Sequence, residues 1–142
     1  MVQANSIASL ANEAFHVSPY LTGSVLTVLT AVLKDATGYG RILRAGGNGD
    51  VTGIVEHKDA TEEQRAIREI NSGIYVFDAM HLFEGLRHIT PNNVQKEYYL
   101  TDVFQYLWRN HLPVRVVAAD DPIEIQGINT VQQLEDARAE YA

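Results

Sequence analysis

Val25 to Leu33 is the segment that most restricts the fold of this chain. It is apolar at odd and even positions alike and rich in β-branched residues. A strand with one wet face alternates apolar and polar side chains. One that is apolar throughout is buried on both faces, which requires a sheet covered by helices. The run is broken by Thr27 and Thr30 and is too short to cross a bilayer, so no membrane partner is expected.

The rest of the chain mixes strands and helices. Asn5 or Ser6 caps a leader helix with Ile7, Leu10, Ala11 and Ala14 at helical spacing, and Pro19 and Gly23 mark its exit. Gly40 to Arg44 and Asp50 to Glu56 pattern as a hairpin around Ala45-Gly-Gly-Asn-Gly49, whose Asn-Gly and Gly-Gly steps favour positive φ. Thr61 and Gln64 have capping-box spacing. Ile70 to Phe77 is a further strand, interrupted by Asn71-Ser-Gly73. Asp78 caps a helix with Leu82, Phe83 and Leu86 on one face. Thr90 to Lys96 is a polar loop. Thr101 or Asp102 opens a stronger helix with Val103, Phe104, Leu107 and Trp108 as its apolar face. Val114 to Ala118 is a strand. A final helix follows the capping box Thr130-Val-Gln-Gln133 and carries Leu134, Ala137 and Tyr141. The expected class is α/β, a mixed sheet with flanking helices.

The chain has 142 residues, enough for one domain. Its net charge of −7 repels phosphate backbones, so no nucleic-acid partner is expected. There is no cysteine, which excludes disulfides, thiolate metal sites and cysteine nucleophiles. None of the five histidines lies at i, i+4 from another, so a histidine metal site is not expected. Neither Gly-x-Ser-x-Gly, Gly-x-x-x-x-Gly-Lys-Ser/Thr nor Gly-x-Gly-x-x-Gly is present. Nothing near Met1 has the layout of a secretion signal, and the expected location is cytoplasmic.

Five short stretches carry the chemistry, and one of them, Gln126-Gly-Ile-Asn129, is either a plain loop before a capping Thr or part of the same site. Thr37-Gly-Tyr-Gly40 is either a plain turn or a backbone lying flat against a ligand, since glycine has no Cβ in the way. Glu56-His-Lys-Asp59 is either a charged turn or the source of a carboxylate for sugar hydroxyls. Asn71-Ser-Gly73 inside an apolar strand marks a bulge or a close approach of ligand to backbone. Glu97-Tyr-Tyr-Leu-Thr-Asp102 is a helix start with aromatic packing, or part of the same site.

Taken together, these stretches resemble the uridyltransferase half of the bifunctional bacterial N-acetylglucosamine-1-phosphate uridyltransferase / glucosamine-1-phosphate acetyltransferase family. The resemblance begins near Leu26. It rests, in the family's order, on Thr37-Gly-Tyr-Gly-Arg-Ile42, Val51-Thr-Gly-Ile-Val-Glu-His-Lys-Asp-Ala60, Glu69-Ile-Asn-Ser-Gly-Ile74, Glu97-Tyr-Tyr-Leu-Thr-Asp102 and Gly127-Ile-Asn129. It implies part of the nucleotide-diphospho-sugar transferase (Rossmann-like) fold, as a single domain over residues 1–142. Residues 1–24 would be the helical leader and 25–142 the sugar-phosphate-binding half. It also implies that Gly40 offers its backbone to the sugar and Glu56 accepts from sugar hydroxyls. Asn71 would contact N-acetylglucosamine 1-phosphate, Thr101 would line the same pocket, and Asn129 would be one of two ligands to a catalytic Mg²⁺.

The chain departs from the family in lacking its glycine-rich Leu-x-x-Gly-x-Gly-Thr-x-Met loop and the aspartate that pairs with Asn129. The expectation is a truncated nucleotidyltransferase-like protein that binds N-acetylglucosamine 1-phosphate or a related sugar phosphate but does not transfer uridylate by itself. Two alternatives stand beside it. One is a non-catalytic structural or interaction protein, and the other is a half-enzyme active only with a separate nucleotide-binding chain. A homo-oligomer or a complementary half-domain is the expected partner, because an apolar strand missing its neighbours invites pairing.

Overall fold

A computed structural model describes residues 25–47, 49–125, 128 and 131–140. The expected leader helix, Gly127 and Asn129 of the last motif, Thr130 of the last capping box, and Tyr141 of the final helix lie outside the described residues. In chain order the elements are β1 (Leu26–Val32), β2 (Gly40–Arg44), β3 (Val51–Val55), α1 (Glu62–Arg65), β4 (Glu69–Phe77), α2 (Ala79–Leu86), α3 (Asp102–Arg109), β5 (Val114–Ala118), a 3₁₀ turn (Pro122–Ile125) and α4 (Val131–Glu140). The strands form one sheet in the order β3-β2-β4-β1-β5. β1 pairs parallel with β5 and antiparallel with β4, and β2 pairs antiparallel with both β3 and β4. The mixed sheet expected from the sequence is present.

β1 lies between β4 and β5, so the strand expected to lack its neighbours has one on each side, and Leu26, Thr27, Val28, Thr30 and Ala31 are all buried. Its double-sided burial follows from the two cores. Leu26, Val28, Ile42, Val51, Ile54, Val103, Phe104 and Leu107 cluster between the sheet and α3. Ala31, Ala36, Ile70 and Ile125 form a second cluster. Side chains alternate across a strand. The pairs Gly40↔Asn71 and Arg41↔Ile70 therefore send Gly40 and Asn71 to the face of Ile42, and Arg41 to the face of Ile70. The first of these faces is covered by α3.

Capping proceeds as the spacing predicts at two helices. The Thr61 Oγ1 accepts from the Gln64 N–H at 3.3 Å, and the Gln64 Oε1 accepts from the Thr61 N–H at 2.9 Å. The Asp78 carboxylate accepts from the His81 N–H at 3.1 Å, which with the His81 ring holds its carboxyl below the usual range. Two expected helix faces are corrected. In α2, Leu82 packs on the core, but Phe83 is 64 % exposed. The contact with α3 is made instead at Gly85, where an added Cβ would lie 2.7 Å from a Val103 methyl. A helix that approaches another through a glycine turns that residue, and not the neighbouring aromatic, inward. In α3, Val103, Phe104 and Leu107 are buried, whereas Trp108 is half-exposed and stacks on Phe104.

The interruption at Asn71-Ser-Gly73 is a bulge. Pairing moves from Val28 opposite Tyr75 directly to Thr30 opposite Asn71, so β4 carries surplus residues between them. Gly73 has φ +79°, a conformation open to glycine at little cost. The polar groups released by the bulge are satisfied locally. The Ser72 hydroxyl donates to the Leu29 carbonyl at 2.6 Å and accepts from the Ile74 N–H at 3.1 Å.

Candidate functional site

Four of the five residues expected at the site meet around one carboxylate. Glu56 follows the end of β3, and its Oε1 accepts a hydrogen bond from the Thr101 hydroxyl at 3.1 Å. Its Oε2 lies 3.3 Å from the point where a Cβ on Gly40 would stand, with the Asn71 Cβ at 3.5 Å from the same point. Gly40 and Asn71 are direct partners across β2 and β4. A Cβ on Gly40 would press on the Glu56 carboxylate while standing in ordinary van der Waals contact with Asn71. Thr101 is buried and sits at the N-cap of α3 without making a side-chain cap, because its hydroxyl goes to Glu56 instead. The fifth residue, Asn129, lies outside the described residues.

Asn71 is oriented from both ends. Its Oδ1 accepts from the Gly73 N–H at 3.2 Å, and its Nδ2 donates to the Tyr75 hydroxyl at 2.6 Å. Tyr75 was not among the residues expected from sequence. The available signal was its spacing of four from Asn71 across a bulge-forming Ser-Gly. Burial, with the Glu56 charge adding to it and the Asn71 hydrogen bond opposing it, pushes the Tyr75 phenol up, so the phenol stays neutral.

The scaffold behind these groups is polar and well connected. The Thr37 N–H donates to Asp35 Oδ1 at 2.9 Å, Gly38 has φ +86°, and the turn delivers Gly40 into β2. Arg41 is almost fully buried on the opposite face, where its guanidinium donates to the carbonyls of Tyr39 and Arg65. That ties the glycine turn to the end of α1. At the far end of β2, Arg44 grips Glu69 with two hydrogen bonds of 2.7 and 2.8 Å, and the Thr30 hydroxyl adds a third at 3.1 Å. Arg44 holds the Glu69 carboxyl below its ordinary range. The turn after Glu56 is closed by the Asp59 N–H to Glu56 carbonyl bond at 3.0 Å. It is fastened to the following loop by the Val94 N–H on Asp59 Oδ1 at 2.8 Å and by Lys58 on Gln95. Burial and the Asp59 charge raise the Asp102 carboxyl.

An ionised carboxylate only accepts hydrogen bonds, whereas an amide and a hydroxyl can donate. Glu56 beside Asn71, Thr101 and Tyr75 therefore suits a ligand with several hydroxyls and further oxygen acceptors. A separate open groove of about 640 Å³ is lined by Asp102, Gln105, Tyr106 and Arg109 of α3 and by His88, whose ring stacks on Tyr106. Neither Glu56 nor Gly40, Asn71, Thr101 or Tyr75 lines it. Among the described residues, no three His, Asp or Glu side chains gather to hold a metal ion, and no helix is long and apolar enough to cross a membrane.

Comparison with known proteins places these observations. The chain is 53 % identical to the bifunctional protein GlmU of Streptomyces coelicolor over 82 % of its own length and 24 % of that protein's. It is 53 % identical to GlmU of Paenarthrobacter aurescens over 84 % of the chain, and 44 % identical to GlmU of Pelotomaculum thermopropionicum over 94 % of it. This chain matches a segment of GlmU. The segment is the uridyltransferase region that the sequence motifs resemble. It spans about a quarter of the length of these GlmU relatives. No family model matches the chain. Among solved structures, a glucose-1-phosphate thymidylyltransferase from Bacillus anthracis in complex with a sucrose superposes with a TM-score of 0.61 at 18 % identity. The match covers 88 % of this chain and 47 % of that one. The fold is that of the sugar nucleotidyltransferases, in part, as the GlmU-like motifs imply.

Proposed function

We propose that this GlmU-like segment binds N-acetylglucosamine 1-phosphate, or a related sugar phosphate, at the Glu56 carboxylate and does not by itself transfer uridylate. The observation that carries the first half is the convergence of Gly40, Glu56, Asn71 and Thr101 on one small region from four separate parts of the chain. In this reading Glu56 accepts from sugar hydroxyls, the Asn71 amide donates to the ligand, Thr101 holds the carboxylate in place, and Gly40 leaves the sugar room to approach. The sugar is selected by the carboxylate and amide, whose desolvation goes uncompensated unless the ligand supplies matching partners.

The second half rests on what these residues lack. Transfer from a nucleoside triphosphate needs a phosphate clamp, and the sequence holds no glycine-rich loop of the expected kind. Mg²⁺ prefers oxygen donors that include a carboxylate, and a lone amide such as Asn129 is a poor fit for it. No step through a metal is therefore assigned to these residues. β4 supports the proposed complementary half-domain or second copy. Among the described residues β2 reaches only Asn71 and Ile70 of this strand, which leaves Ile74 to Phe77 without a neighbour on that side. Edges of this kind invite another strand. A cytoplasmic location fits the same reading.

The test is calorimetric titration with N-acetylglucosamine 1-phosphate. Wild-type protein binds, and Glu56→Gln, which keeps the shape but removes the charge, weakens binding at least tenfold. Equal affinity in both proteins, or no heat from either, overturns the proposal.

A further inference from the structure

Along an unbroken strand, residues four apart share a face but stand roughly 13 Å from each other. Asn71 and Tyr75 are four apart in β4, yet their side chains meet at 2.6 Å. The bulge at Ser72 and Gly73 closes that gap, and it is reinforced by the Ser72 hydroxyl on the Leu29 carbonyl. We infer that the bulge exists to set Tyr75 against Asn71, and that Tyr75 is the positioning residue that fixes which way the Asn71 amide faces the ligand. This rests on the sugar-phosphate reading above.

The geometry leaves one orientation. The Gly73 N–H can only donate, so the Asn71 oxygen must face it; the Asn71 nitrogen is then turned to the Tyr75 oxygen, which accepts one of its two protons. The other Nδ2 proton is left for an acceptor on the ligand. Without the phenolic oxygen the amide would keep only its bond to Gly73 and would turn about it. Tyr75 itself is half-buried against the core cluster and packs on the Phe77 ring, whose centroid lies 5.7 Å away. Its role is to act through Asn71, and that separates it from a residue that merely fills space.

The experiment is a double-mutant cycle read by calorimetry with N-acetylglucosamine 1-phosphate, using wild type, Tyr75→Phe, Asn71→Ala and the pair. Tyr75→Phe keeps the ring and is expected to weaken binding about five- to tenfold. In the Asn71→Ala background the same change is expected to have no further effect. A structural role alone would not give that dependence. Unchanged binding by Tyr75→Phe, or losses that simply add, overturns the inference while leaving the sugar-phosphate reading intact. Silence from the wild type overturns both. Should Tyr75→Phe not fold, the Asn71 side-chain amide protons of the wild type decide by NMR. One slowly exchanging proton of the pair supports the lock, and two rapidly exchanging protons overturn it.

Discussion

At the scale of single residues, Gly40 and Glu69 show how the site and the fold divide the work. Gly40 is not in a left-handed conformation, so an alanine suits the backbone, and only its contact with the Glu56 carboxylate is strained. Gly40→Ala is expected to destabilise the protein by about 1–3 kcal/mol and to displace Glu56. Thermal unfolding would then show a folded protein, and titration a loss of sugar-phosphate affinity. A variant that binds as the wild type does would contradict the close-approach role. Glu69 fastens the scaffold through Arg44 and Thr30. Its pairing with Arg44 depresses the carboxyl's pKa, so the stabilisation is fully present above the unfolded value of about 4.3 and disappears as pH falls through the lower folded value. Glu69→Gln should lower stability by about 1–2 kcal/mol at pH 7 and by almost nothing at the acid end, measured by urea unfolding across pH.

At the scale of elements, α2, α3 and the β4 bulge decide where the side chains point. Gly85→Ala gains about 1 kcal/mol of helix propensity but drives a methyl to within 2.7 Å of Val103, a stiff β-branched neighbour. A net loss of about 1–2 kcal/mol in chemical denaturation is expected. Strand β1, the hairpin, the Thr61 box and the Asp78 cap were legible in the sequence because each depends on local pattern. The inward face of α2 was not, since a glycine contact leaves no apolar signature and Phe83 looks like the better candidate. That Gly40, Glu56, Asn71 and Thr101 come together was legible through motif order. Tyr75 was hidden because strand periodicity places it far from Asn71, and only the bulge brings it back. Thr101 reads as a helix cap in sequence, and its hydroxyl is diverted to a partner that lies 45 positions away in the chain.

At the scale of the whole molecule, the sheet carries the Glu56 cluster, the proposed sugar-phosphate site, on its α3-covered face, and an open stretch of β4 beside it. Light scattering at micromolar concentration should show a species larger than one chain, and a pyrophosphate-release assay with UTP, Mg²⁺ and N-acetylglucosamine 1-phosphate should stay at background. The central claim is the location of the sugar phosphate, and the most direct measurement is amide chemical-shift mapping during titration with N-acetylglucosamine 1-phosphate. The account predicts saturable shifts at Gly40, Glu56, Asn71, Gly73 and Thr101. Shifts confined to the groove between His88 and Arg109, or none at all, would contradict it.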